Sequence, residues 1–347
     1  MTTINAFAYQ AKDAYKPFEK INFEIDVSSL GADEVIVALE YSGLCHSDLH
    51  AWTDWNIPGT FPLVAGHEGA GKILHVGSNV KTHKIGDRVV IGWLAGSCCE
   101  CTSCRVGDDN LCFEAQPTII GRKGTFASHI VLHKNFAYRI PECISLEEAG
   151  IFACAGGTVA APIFKYKERA KTAAVIGLGG LGHIAVQYLR KLGMETAVLT
   201  RGHSKDDFAK SLGAHYCVDM SNQEEVSKYL NHFDLVINTA PAVIDWSKYI
   251  SVTSRNGNWI IVGLPTDNDG KGITSMELPI AQLVFNQLSV CGSIVAGSRD
   301  LTECLRFAAV NDIHPMYETR PLSDINNTMN DLAEGKPRFR YVFNIHE

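Results

Sequence analysis

Through Pro141 the apolar positions come in short β-branched bursts broken by glycine and charged residues; beyond it they lengthen and alternate with stretches of helical period. The run 35–41 is rich in valine and other strand formers and predicts a strand, as does Val89-Val90-Ile91 behind the turn Gly86-Asp87-Arg88. With little helical periodicity between such pieces, the first part reads as a compact, barrel-like β domain. Residues 153–161 are small and apolar and suit a helix start packed at a domain junction. A buried strand is expected at 172–176, then a helix through Ile184, Val186, Leu189 and Leu192. Further strands are expected at 196–200, 233–238, 258–262 and 288–294, separated by helical segments, which is the alternation of a doubly wound parallel sheet. A short amphipathic helix at 301–310, a turn and helix over 321–332, and a basic turn at 336–340 running into a strand complete the chain. This tail is expected to return to the first domain.

The chain has 347 residues, long for one domain, and 46% hydrophobic against 20% charged residues gives it material for sizeable cores. Its net charge of −7 argues against nucleic acid or an anionic membrane as partner. No apolar run looks long enough to span a bilayer, and the first residues lack the basic and apolar regions of a signal peptide. Eleven cysteines without a secretory signal favour metal binding or reduced thiols, hence a cytoplasmic enzyme.

The densest chemistry lies at Cys45-His46-Ser47-Asp48-Leu49-His50, with His67-Glu68 behind it and Cys154 further on. Two thiols and an imidazole form a set that zinc accepts while keeping one position open. We expect Cys45, His67 and Cys154 to hold a catalytic zinc, with Glu68 as alternate ligand or charge-tuning neighbour. Asp48 is placed to orient a ligating histidine. Ser47 and His50 could pass a proton to solvent, and His46 could meet a phosphate. Taken singly, each would be read as a packing thiol or a surface polar group; the cluster carries the functional reading.

Cys98, Cys101, Cys104 and Cys112 follow the spacing of a closed four-thiolate structural zinc site. An iron–sulfur cluster is the rival for four cysteines. Cys99 breaks the pattern by adjacency and should point away.

Gly177-Leu178-Gly179-Gly180-Leu181-Gly182 sits between the strand 172–176 and a helix, where it becomes a dinucleotide fingerprint. An NAD site places an acid at the end of the next strand; here Thr200 and Arg201 stand there, with Lys205 nearby, which points to NADP, with NAD as the alternative. A bland reading makes Arg201 and Lys205 loop-solvating charges. Arg340 could reach the cofactor pyrophosphate or simply begin a strand.

Together these motifs resemble the zinc-containing alcohol dehydrogenases of the medium-chain dehydrogenase/reductase superfamily. The segments 45–52 and 66–69 look like the yeast-type members, and the region after residue 180 looks closer to the cinnamyl-alcohol-dehydrogenase branch. The resemblance implies an α/β chain: a GroES-like catalytic domain from residues 1–153 and 290–347 with a structural-zinc lobe at about 95–115, and a Rossmann domain at 154–289. It implies two zinc ions per subunit on the ligands named above. By the same match Ser47 and His50 form a proton relay, and His46 and Arg340 approach the pyrophosphate. Val262 and Ser293 line the nicotinamide pocket, with Thr158 behind the ring. Trp55 and Trp93 narrow the substrate channel, and Gly157 stands where a bulkier residue is common. Two cysteines and a histidine are already the established catalytic ligands of alcohol dehydrogenases.

The implied reaction is hydride transfer between a primary alcohol or aldehyde and NADP(H), in a homodimer or homotetramer. An NAD-dependent member or a formaldehyde or polyol dehydrogenase would share the motifs. A zinc-free quinone reductase or a non-catalytic nucleotide sensor would not need the catalytic ligands.

Overall fold

The computed structural model describes residues 3–53, 55, 57–263, 275–336 and 338–347; Pro337 of the basic turn lies outside them. The chain forms two compact units, one of Met1–Cys154, Ala296–Val310 and Pro315–Glu347, the other of Ala155–Val295 and Asn311–His314.

The first unit is built around the strand Glu34–Leu44, whose apolar run drives it into the centre of a seven-stranded sheet. It pairs antiparallel with Gly69–Val76 on one side and with the late strand Arg340–Asn344 on the other, Tyr341 opposite Leu44 and Ser42 opposite Gly69. It also pairs with His129–His133. The helix His46–Thr53 starts directly after this central strand, so Cys45 sits at the strand–helix junction. The helix Ser298–Asn311 and the helix Ile325–Ala333 bring in the expected C-terminal helical segments.

The second unit is a six-stranded, all-parallel sheet in the order Tyr216–Asp219, Glu195–Thr200, Thr172–Ile176, Phe233–Asn238, Thr253–Ile261, Ser289–Gly292. Numbered along the chain this is 3-2-1-4-5-6, the doubly wound dinucleotide-binding order. Ser289–Gly292 is an edge strand, so the second unit runs on to Val295. Ile176, Leu199, Phe233, Val236 and Trp259 fill its core, with Trp246 edge-on to Trp259 at 5.5 Å.

Two expectations shift. The helix expected to start within 153–161 begins earlier, at Leu146, because Ser145 and Glu148 form a reciprocal capping box. The turn Phe152–Gly156 is then wound as a π-helix before the helix Gly157–Tyr166 continues. The resulting run Leu146–Tyr166 is long and apolar enough to span a bilayer by length and composition, contrary to expectation; most of it is buried, as a core helix is.

Candidate metal centre and nucleotide site

The junction after Glu34–Leu44 delivers Cys45, and the first turn of His46–Thr53 delivers Asp48. Asp48 is buried and fully used. One oxygen accepts the Cys45 N–H at 3.0 Å; the other accepts the Gly66 N–H at 2.8 Å and lies 3.0 Å from His67 Nδ1. The carboxylate therefore fixes the His67 ring with the proton on Nδ1 and frees Nε2 as a donor atom. Nε2 is buried and has no hydrogen-bond partner. The π-wound turn brings Cys154 Sγ to 3.9 Å from Cys45 Sγ. Ligand atoms of Cys45, His67, Glu68 and Cys154 all lie within 4.8 Å of one another.

Two thiols, an orphaned imidazole nitrogen and a carboxylate, converging in a buried spot, fit a zinc ion and little else. The hydrogen bond from Cys154 holds the Cys45 thiol well below its ordinary range against its burial, and Arg340 helps. The same bond, with burial, pushes Cys154 up. Burial would lower His67, but Asp48 outweighs it and holds the imidazole above its usual range. Burial pushes Glu68 up to about 7, with Arg340 pulling the other way.

Arg340 lies at the start of the strand Arg340–Asn344, only 5% exposed, with its guanidinium hydrogen-bonded to Glu68 Oε1. The structure thus places it on Glu68, an arrangement the sequence did not suggest. Glu68 fits here because Gly43 has no side chain: a Cβ there would stand 2.0 Å from Glu68 Oε2.

Ser47 and His50 are half-buried and His46 is exposed on the helix after Cys45. His50 stacks face to face on Trp55, with centroids 6.1 Å apart and 8° between planes. Trp55 meets Trp93 edge-on at 5.7 Å, and Trp93 meets His67 edge-on at 5.1 Å. The two tryptophans thus bridge His50 and His67.

The four-cysteine loop is more open. Cys98 lies 3.8 Å from Cys104 and 3.5 Å from Cys112, and Cys101 lies 3.5 Å from Cys104, all sulfur to sulfur. Backbone N–H groups of Glu100 and Cys101 point at Cys98 and lower its thiol to about 7; burial pushes Cys104 up to about 12. Cys99 turns away, with φ of +59° and its sulfur beside Ser97 and Asn135.

In the second unit the glycine turn follows Thr172–Ile176. Gly177 has φ of +87°, and a Cβ on Gly182 would stand 2.0 Å from the Gly177 carbonyl, so a side chain fits at neither position. A Cβ on Gly179 would meet nothing within 4 Å, leaving its backbone open to a ligand. Gly180 and Leu181 lead into the helix Gly182–Lys191, whose N-terminus has no side-chain cap; its His183 and Ile184 N–H groups donate to the Gly179 and Leu181 carbonyls. Thr200 is buried with its hydroxyl donating to Val218 O at 3.2 Å, while Arg201 and Lys205 are exposed. Val262 and Ser293 follow the C-terminal ends of adjacent strands, donating to Asn238 O and Ile261 O. Thr158 is buried in the helix Gly157–Tyr166.

Residues 31–142 match the family described as alcohol dehydrogenase GroES-like domain, and residues 180–310 match zinc-binding dehydrogenase. Aldehyde reductase AdhA of Synechocystis is 36% identical over 338 residues, covering 96% of this chain and 97% of its own. The chain belongs to the zinc-containing alcohol dehydrogenases of the medium-chain dehydrogenase/reductase superfamily.

NADP-dependent alcohol dehydrogenase C 1 of Mycolicibacterium smegmatis is 32% identical, over 99% of this dehydrogenase and 98% of that one. Among solved structures, a Sorghum bicolor cinnamyl alcohol dehydrogenase superposes with a TM-score of 0.88 at 27% identity, covering 99% and 98% of the two chains. The Helicobacter pylori enzyme CAD, complexed with NADP(H), gives 0.87 at 27% identity over 99% of each chain. The dehydrogenase is accordingly an oxidoreductase of alcohols and aldehydes.

Two groups in the dehydrogenase's nucleotide unit escaped the sequence reading. Thr239 donates its hydroxyl to the Ile176 and Gly177 carbonyls at 2.8 and 3.1 Å, pinning the glycine turn from the next strand. Its place just after the strand Phe233–Asn238 was the available signal. Buried His183 lies with Nδ1 2.9 Å from Gly179 O; a histidine next to the last glycine of the motif was visible in the sequence.

Proposed function

We propose that this dehydrogenase reduces an aldehyde to a primary alcohol with NADPH and runs the reverse oxidation with NADP, with catalytic zinc on Cys45, His67 and Cys154. A second, structural zinc is assigned to Cys98, Cys101, Cys104 and Cys112. The observation that carries the reading is the partnerless, buried Nε2 of His67, aimed by Asp48 into a pocket shared with two thiols.

Zinc bound there supplies Lewis acidity to the substrate oxygen. Asp48 keeps the His67 tautomer, and Glu68, held by Arg340, tunes the local charge. Ser47 hands a proton between the substrate oxygen and His50, which exchanges it with solvent; stacking on Trp55 keeps the His50 ring in place. Trp55 and Trp93 form an apolar wall that excludes water and favours an apolar substrate chain. Arg340 is hydrogen-bonded to Glu68, and within the nucleotide unit the pyrophosphate is assigned to the glycine turn and the start of the helix after it.

NADP(H) over NAD(H) is supported by the exposed Arg201 and Lys205 and the missing acid at Thr200. The NADP-dependent relative and the neighbour complexed with NADP(H) agree with it. Eleven cysteines with no disulfide among the described residues suit a reducing compartment, the cytoplasm in this reading. We further assign a second copy of the chain to the outer edge of the six-stranded sheet. Ile280, Val284 and Phe285 are exposed at 63%, 66% and 84%, shortly before Ser289–Gly292, the edge strand among the described residues. Sedimentation at monomer mass would remove this assignment.

Initial rates with NADPH and NADH across aliphatic and aromatic aldehydes test the function. Faster turnover with NADPH, abolished by a zinc chelator, is expected. Equal or better rates with NADH would overturn the cofactor assignment, and full activity in chelated enzyme would overturn the metal's role.

A further inference from the structure

His203 lies between the exposed cations Arg201 and Lys205, in the segment after the strand Glu195–Thr200. Both of its ring nitrogens face carboxylates. Nδ1 is 3.0 Å from Asp206 Oδ2, and Nε2 is 3.2 Å from Glu225 Oε1. Glu225 stands on the helix Gln223–Lys228, and its other oxygen accepts the Asp219 N–H at 2.9 Å. Asp219 ends the neighbouring strand Tyr216–Asp219 and accepts the Gly202 N–H at 2.8 Å. These bonds close a ring from Gly202 through Asp219 and Glu225 to His203. The ring ties the segment carrying Arg201 and Lys205 to the next strand and the next helix.

The groups that face His203 from other elements are acidic. They are Asp206 from the first turn of the helix Asp206–Ser211, Glu225 from its own helix, and Asp219 from the strand end. The Cys217 thiol lies beyond Asp206, pushed up to about 12 by burial and by that carboxylate, with Lys210 opposing weakly. Arg201 and Lys205 are the cations of the segment itself. Three carboxylates thus border the place where a dinucleotide fold decides between a ribose hydroxyl and a 2′-phosphate. Carboxylates alone would repel the phosphate.

We propose that His203, as an imidazolium clasped between Asp206 and Glu225, is the positioning residue that gives this enzyme its preference for the 2′-phosphorylated cofactor. It cancels carboxylate charge that would face the phosphate and it fixes the backbone that presents Arg201 and Lys205. This rests on the NADP(H) reading above. The ring leaves no free nitrogen for the phosphate, so His203 acts through its neighbours.

A pH signature follows. The hydrogen bond and charge of Asp206, then the charge of Glu225, raise His203 above its ordinary value. The imidazolium is therefore present below that raised value and lost as pH rises through it. The 2′-phosphate is already dianionic above about pH 7, so loss of NADPH preference at higher pH reports the imidazole.

The test is cofactor titration by quenching of protein fluorescence, with KM and kcat, for NADPH and NADH from roughly pH 6 to pH 9. Wild type and the variants His203→Gln and His203→Gln/Asp206→Asn are compared. His203→Gln is expected to weaken NADPH about ten-fold, to leave NADH and kcat unchanged, and to flatten the pH dependence of the NADPH-to-NADH ratio. Adding Asp206→Asn should return part of the lost NADPH affinity, which a purely structural role would not do. Equal weakening of both cofactors by His203→Gln, or an unchanged ratio, overturns this proposal and leaves the NADP(H) reading standing. A wild type that prefers NADH at every pH overturns both.

Discussion

Cys98, Cys101, Cys104 and Cys112 fall on one short loop, offer nothing but sulfur, and are mostly half-exposed. Cys45, His67, Glu68 and Cys154 come from three separate stretches, mix three donor types, and are all buried. The first cluster, with four thiols, would saturate a zinc ion and leave nowhere for a substrate. In the second, Glu68 is hydrogen-bonded to Arg340, and two thiols and one imidazole would be left to hold zinc. The difference also shows in what supports the donors. Backbone N–H groups serve Cys98 and Cys112 locally, whereas His67 depends on Asp48, whose own place is set by the N–H groups of Cys45 and Gly66. A structural site is held by its loop; a catalytic site is held by the fold.

The sharpest break of this contrast is His67→Ala. It should lower kcat/KM by about 10³-fold or more and remove one zinc equivalent, with the four-cysteine zinc retained in elemental analysis. Wild-type turnover in that variant would erase the distinction between the sites. Asp48→Asn keeps the shape and removes the charge that orients His67. A loss of about 10- to 100-fold in zinc affinity or activity is expected, read by competitive chelation. Cys101→Ser acts on the other cluster. It should speed irreversible thermal inactivation about ten-fold while changing the kcat of surviving enzyme little. A collapse of kcat with unchanged inactivation would assign that loop a direct part in catalysis. The smallest effect belongs to Ser145→Ala, which opens the capping box of the helix that leads into Cys154. It should cost about 1 kcal/mol in denaturant unfolding and leave zinc content intact.

Legibility followed sequence distance. The four cysteines and the glycine turn are local, and a local pattern with one chemical purpose reads directly. The strand Phe233–Asn238 appeared with its observed ends because Phe233, Leu235, Val236 and Ile237 make a compact strand-forming run bounded by polar residues. The strand Thr253–Ile261 starts earlier than its apolar run, since Arg255, Asn256 and Gly257 hide its first half. The Ser145–Glu148 box was present in the letters and would have moved the helix start to Leu146. The pairing of Arg340 with Glu68 was not legible, because it needs two strands on opposite sides of Glu34–Leu44 to be in register. His203 drew no reading from the sequence for a similar reason: Asp206 is near in sequence, but Glu225 and Asp219 reach it only through the sheet order.

The buried ion pair joining Glu68 to Arg340 links residues 272 positions apart in a chain of 347. A ribosome releases the amino end first, so Glu68 emerges long before Arg340 has been made. Until the final strand docks, the carboxylate must remain wet or take up a proton, and the dry centre around it cannot close. Closure of this pocket therefore depends on the last strand of the chain.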